Sequence, residues 1–281
     1  MKKIFAAILS VSLLFCGCSM SRTGNETETS ETTTNEPTNT AETTLEVTGL
    51  GMSLSEYSAN AIVWGPGNIQ NHERPVDPTK LQEQYKNLDG KWLLADDKNI
   101  CLTFDEGYEN GYTAQILDTL KEKNVKAIFF CTYDYIKDNP ELVHRMINEG
   151  HIVGNHSYRH QNFTQIDVET ASDEITILHD YVVEQFGYEM TYFRFPEGAF
   201  SEQALALTKE LGYSSIFWSF AYADWDRENP PSNETAYEKI TSSVHNGAIL
   251  LLHAVCKSNA EVLGKAIDNI IEQGYHFTTS I

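Results

Sequence analysis

The sequence predicts an α/β fold, a distorted (β/α) barrel of about seven parallel strands. Short apolar runs at 100–104, 127–131, 151–153, 191–195, 214–218, 248–252 and 275–278 alternate with segments of helical period at 112–123, 140–149, 168–186, 201–211, 235–245 and 259–273. Runs that are apolar throughout belong to strands covered on both faces, as in parallel sheets joined by helices. The polar residues that stand out gather at the carboxyl ends of these runs, the edge where parallel α/β folds assemble their sites. An open doubly wound sheet is the alternative architecture.

The chain begins with Lys2 and Lys3, the apolar run from Ile4 to Phe15, and then Cys16-Gly17-Cys18-Ser19. The run is too short to stay across a bilayer and reads as a secretory signal over residues 1–18. Cys18 after Gly17 resembles the lipidated cysteine of a bacterial lipobox, with Phe15 where that box prefers leucine. A lipid anchor on the outer face of the cytoplasmic membrane is therefore expected, and a cleaved signal with a secreted product is the alternative. Residues 19–52 are Thr- and Glu-rich with almost nothing apolar, so they cannot recover the entropy of ordering and are predicted to be a disordered linker. Forty acidic residues against 20 basic ones give a formal charge of -20, which argues against nucleic acid as a partner.

Residues 53–98 carry Trp64-Gly65-Pro66-Gly67, Pro75 and Pro78, turn chemistry with little periodicity, and are read as an extension packed on the core. The catalytic domain is expected over 99–281. Within it Ile116, Leu117 and Leu120 share one helix face, as do Leu142, Val143, Met146 and Ile147. Cys101, Cys131 and Cys256 are an odd count, so buried free thiols are expected, with reactivity the alternative for Cys256 beside His253.

The first strand ends in Asp105-Glu106-Gly107, two adjacent acids that repel each other and need a metal or a cation to hold them. A solvated turn is the bland reading of that tripeptide alone. His156 and His160 stand at i and i+4, one face of a helical turn, able to share a cation or there by coincidence. With Glu106 they make a two-His, one-carboxylate set, the arrangement of a hydrolytic zinc site. The His-Glu-x-x-His signature of zinc peptidases is absent. Arg194 ends the fourth run, Asp224 and Trp225 follow the fifth, and His253 closes the sixth, which sets Asp105 and His253 on opposite sides of a barrel mouth. A surface ion pair for Arg194, a helix cap for Asp224 and a core position for His253 are the structural alternatives.

Thr103-Phe104-Asp105-Glu106-Gly107-Tyr108, His156-Ser157-x-x-His160, Arg194-Phe195-Pro196-Glu197-Gly198, Asp224-Trp225 and Leu251-Leu252-His253 resemble, in order, the five motifs of the polysaccharide deacetylases with a NodB-homology domain (carbohydrate esterase family 4). Glu109-Asn110-Gly111-Tyr112-Thr113 and the segment from Phe217 to Trp225 look like the delta-lactam-forming muramic acid de-N-acetylases of the spore cortex. The resemblance implies Asp105 as general base and Glu106, His156 and His160 as ligands of a divalent cation, zinc by preference. It further implies Arg194 as the cation that aims Asp105, the backbone N–H of Glu197 as an oxyanion donor, and His253 as the acid, oriented by Asp224. The implied reaction is removal of the N-acetyl group of muramic acid in the glycan strand of peptidoglycan, with an amidase acting earlier to free the lactyl carboxylate; a deacetylase of N-acetylglucosamine or of an O-acetylated polysaccharide, and a wall-binding lipoprotein without turnover, are the alternatives. Glu106 is one methylene longer than the family's usual aspartate, Phe195 replaces a common proline, and Ala221 stands where many relatives have an acid. Glu197 replaces an aromatic ring. Trp218 and Trp225 are candidates for stacking on a sugar face, with core packing as the alternative.

Overall fold

The computed structural model describes residues 53–66, 69 and 72–281. The expected signal peptide, Cys18 and the linker over 19–52 lie outside the described residues. Among the described residues, no helix is long and apolar enough to cross a membrane.

In chain order the strands are β1 (Ile62–Val63), β2 (Gly90–Lys91), β3 (Asn99–Glu106), β4 (Ile128–Cys131), β5 (Ile152–Asn155), β6 (Tyr192–Phe193), β7 (Ala199–Phe200), β8 (Ser214–Ile216), β9 (Ile249–His253) and β10 (His276–Phe277). The helices are α1 (Val76–Gln84), α2 (Thr113–Glu122), α3 (Tyr133–Asp138), α4 (Pro140–Asn148), α5 (Val168–Phe186), α6 (Glu202–Glu210), α7 (Asn233–Ser242) and α8 (Lys257–Glu272). All seven predicted strands and all six predicted helices are present. The unpredicted elements are helices α1, in the extension, and α3, and the strands β1, β2 and β7, whose two residues each are too few to show a period.

The main sheet runs β10–β3–β4–β5–β6–β8–β2, with β9 also paired to β3, and every pairing in it is parallel. Phe220 bridges Leu250 beyond the end of β8, and Ser219 N–H donates to the Ile249 carbonyl at 2.9 Å, which brings the sheet round on itself as a distorted (β/α) barrel. Below that bridge β2 fills the gap: Phe217 N–H reaches the Lys91 carbonyl at 2.7 Å, and Leu94 N–H the Gly247 carbonyl at 2.8 Å. The extension thus supplies a strand of the barrel itself.

Strands buried on both sides explain the unbroken apolar runs. β4 is buried at all four positions, and Phe104 of β3 stacks on Phe129 with ring centroids 5.1 Å apart. On the outer layer α2 buries Ile116, Leu117 and Leu120, side chains worth about 1.5–3 kcal/mol each when removed from water. Asp167 caps α5 by accepting from Thr170 N–H at 2.8 Å, and Gly187, at φ 60°, ends that helix in the left-handed conformation. Trp92 from the extension stacks on Phe217 at 4.2 Å. Phe195, the residue in place of the family's proline, lies edge-on to Phe193 at 4.9 Å within the same aromatic group. Cys101, Cys131 and Cys256 are free and buried.

Candidate active site

Strand alternation sorts the first motif. Thr103 and Asp105 share one face of β3, while Phe104 and Glu106 share the other. Arg194, fully buried just past β6, meets the first face: one terminal nitrogen donates to Asp105 Oδ1 at 2.7 Å and to Thr103 Oγ1 at 2.8 Å. Its Nε and second terminal nitrogen go to the carbonyls of Ile216 and Phe217, so the guanidinium is fixed at every side. Burial alone pushes the Asp105 carboxyl up, but Arg194, then His156 and His253, outweigh it and hold the group below the ordinary carboxylate range. Asp105 thus lines the mouth with its carboxyl held below the ordinary range.

Its register partner on β9 is His253. This corrects the expectation of opposite sides: β3 and β9 are neighbours, and the two residues lie side by side. The His253 ring donates from Nδ1 to Asp224 Oδ1 at 2.7 Å, leaving Nε2 free of that bond. Asp224 Oδ2 accepts the His253 backbone N–H at 2.9 Å and the Asn259 amide at 2.6 Å, so a buried carboxylate is satisfied on both oxygens. Burial lowers the imidazole's affinity for a proton, but Asp224 more than compensates and holds it above the ordinary range.

His156 donates from Nδ1 to the Arg194 carbonyl at 2.9 Å, which fixes its tautomer and leaves Nε2 as a lone pair 3.6 Å from Asp105 Oδ2. Burial brings its pKa down to about 4, so the contact with Asp105 is between a neutral ring and a carboxylate. The ring of His160 stands 4.9 Å away, edge to face. The segment between them is not the predicted helical turn. Ser157 and His160 have φ of 69° and 55°, and Glu174 of α5 pins the loop by accepting from Arg159 N–H at 2.7 Å and from Gln161 at 2.8 Å.

Glu106 does not join the two histidines. Alternation turns it to the far face of β3, where it is fully buried and pairs in register with Cys131. Neither carboxylate oxygen has a hydrogen-bond partner. Burial, then Glu109 and Asp105, push its pKa well above the ordinary range. Among the described residues no group of three or more His, Cys, Asp or Glu is arranged to hold a metal ion. The carboxylate expected in the zinc set thus lies on the strand face opposite Asp105, because neighbouring residues of a continuous strand point to opposite faces.

Asp105, His156, His160 and His253 line a cleft of about 830 Å³, while Arg194 and Asp224 stand behind it. Glu197, at φ 58°, also lines the cleft, its side chain accepting from Asn162 at 2.9 Å. The two tryptophans differ. Trp225 is 57% exposed with its ring centre 6.0 Å from that of His253, whereas Trp218 is buried, and its carbonyl accepts from the Trp64 indole at 2.9 Å. The sequence reading missed Trp64, Gly65 and Pro66 of the extension, which form part of the cleft wall, and Asn259, which locks Asp224 to His253. Nothing local marks Asn259, but a tryptophan beside Gly-Pro in an otherwise aperiodic segment was a usable signal for the wall.

The sequence profile of the polysaccharide deacetylase family matches residues 95–216. Peptidoglycan-N-acetylmuramic acid deacetylase PdaA of Bacillus subtilis is 41% identical over 218 residues, 77% of this chain and 83% of that protein. The chain belongs to the polysaccharide deacetylase family. The solved structure of B. subtilis PdaA, a family 4 carbohydrate esterase, superposes with a TM-score of 0.76 at 40% identity, covering 79% of this chain and 95% of that one. Peptidoglycan-N-acetylglucosamine deacetylase PgdA of Listeria monocytogenes is 36% identical over 182 residues, 65% of this chain but 38% of that protein. This polysaccharide deacetylase is accordingly a hydrolase.

Proposed function

We propose that the protein removes the N-acetyl group of muramic acid residues in peptidoglycan, and that the freed amine then closes on the lactyl carboxylate as a delta-lactam. What carries the hydrolytic reading is the side-by-side placement of Asp105 and His253, one held as a base and the other as an acid. Amide hydrolysis needs both. Asp105 takes a proton from the attacking water as its oxygen bonds to the acetyl carbon. The Glu197 backbone N–H is assigned to the developing oxyanion. His253 then gives its proton to the nitrogen, the carbon–nitrogen bond breaks, and acetate and the free amine result. Arg194 and Asp224 hold these two groups in their working states. Trp225 is assigned to the face of a neighbouring sugar.

The choice of muramic acid is supported by the likeness to PdaA over most of that protein's length. Glucosamine is the second reading, favoured by the likeness to PgdA. We place the enzyme outside the cytoplasmic membrane, held there by lipid on Cys18. Mass spectrometry of peptidoglycan fragments after incubation with the protein tests the substrate: acetyl loss from muramic acid is expected, and loss confined to glucosamine would replace the first reading by the second. No acetyl loss from either sugar would make it a wall-binding protein without turnover.

A further inference from the structure

Arg159 is the one arginine or lysine among the described residues that line the cleft. It lies between the two site histidines in sequence, next to His160, and its side chain is exposed. The described arginines that form ion pairs are Arg145 and Arg194, so Arg159 presents its charge unpaired. The position is nevertheless built. Glu174 holds the Arg159 backbone, and the guanidinium carbon stands 5.2 Å from the centre of the Tyr158 ring, which itself packs on Tyr133 at 4.5 Å. A guanidinium resting on a ring loses little freedom when it binds.

Of the other cations near the site, one is engaged and the other lies outside the cleft. Arg194 is fully buried and spends its donors on Asp105, Thr103 and two carbonyls. Arg227 lies over the Tyr108 ring at 4.6 Å and does not line the cleft. Of the acids that do line it, Asp105 is paired with Arg194 and Glu197 with Asn162, while Asp134 is exposed.

Muramic acid differs from glucosamine by a lactyl ether on the carbon next to the one that bears the acetamide. Its carboxylate therefore sits beside the bond to be broken, near enough to the nitrogen that a six-membered lactam can form. A group that reads this carboxylate has to flank the residues that receive the amide. We infer that Arg159 is a specificity-determining residue, pairing through its planar fork with the lactyl carboxylate of muramic acid. Glucosamine, with a neutral hydroxyl at that carbon, offers it nothing to pair with. The inference rests on the muramic acid reading above.

The test compares two glycan oligosaccharides that differ at one group, muramic acid with its lactyl carboxylate free and the same compound as the methyl ester, by acetate release from the purified full-length protein. Wild type is expected to favour the free acid. Arg159→Gln should lower kcat/KM on the acid by about ten- to a hundredfold, the usual worth of a charge-assisted hydrogen bond, and bring the acid-to-ester ratio near one. Arg159→Lys should restore part of that ratio. An equal loss on acid and ester, or an unchanged ratio, overturns the assignment while leaving muramic acid as the substrate. Acetate released by wild type from glucosamine alone overturns both.

Discussion

Asp105 and Arg194 are 89 residues apart in sequence, yet their side chains meet at 2.7 Å with the arginine wholly enclosed. Removing one member of a buried pair leaves the other charge uncompensated, which costs about 3–5 kcal/mol. Arg194→Met is therefore expected to lower unfolding free energy in urea by that amount and to abolish turnover. A loss below about 1 kcal/mol, the range of exposed pairs, would mean that water reaches the pair in solution.

The pH profile of kcat/KM should be a bell. The base must be ionised, so activity falls as acid protonates Asp105, below the ordinary carboxylate range because its pKa is depressed. The acid must be protonated, so activity falls again as alkali deprotonates His253, above the ordinary imidazole range because Asp224 raises it. Asp224→Asn removes that cause, and the alkaline limb should move to lower pH. An alkaline limb that stays in place would take His253 out of the profile.

His253→Ala should lose roughly a hundred- to ten-thousand-fold on the amide, the usual range for a positioned acid or base. The loss on an activated acetyl ester should be smaller, since that leaving group needs little protonation. Equal losses on both substrates would show that the ring holds structure rather than donating a proton.

Glu106 faces away from His156 and His160, so Glu106→Gln is expected to leave the zinc content of the purified chain, read by elemental analysis, equal to that of wild type. The first motif read as sequence leads to the opposite expectation. Zinc lost from a folded Glu106→Gln chain would return the carboxyl to the ligand set.

Cys18→Ala should release the protein from membranes into the medium, because acyl chains contribute about 0.8 kcal/mol per buried methylene and the substitution removes their attachment point. Identical partitioning of the two proteins would remove the lipid anchor.

The strands were legible because burial on both faces demands apolar runs such as Ile100 to Phe104, and the site was legible because Asp105, His156, Arg194 and His253 all fall where such runs stop. Neighbourhood was not. Spacing along the chain does not reveal that β9 returns beside β3, so Asp105 and His253 were expected across the mouth from each other. The His156–His160 spacing suggested a helical turn, but the contacts that set the loop come from Glu174, in a separate helix. Glu106 misled for a different reason: a motif records which residues are adjacent, while strand geometry decides which way each one points.

Strand β2, wedged beside β8 with Leu94 reaching Gly247, joins the two ends of the domain, and β10 lies against β3. Contacts so distant in sequence form slowly, after the loop entropy between them has been overcome. A chain made from its amino end carries Asp105 long before β9 delivers His253, and the ring has no closing partner until then. Asp105 therefore gains His253 as its neighbour only once the last strands have folded.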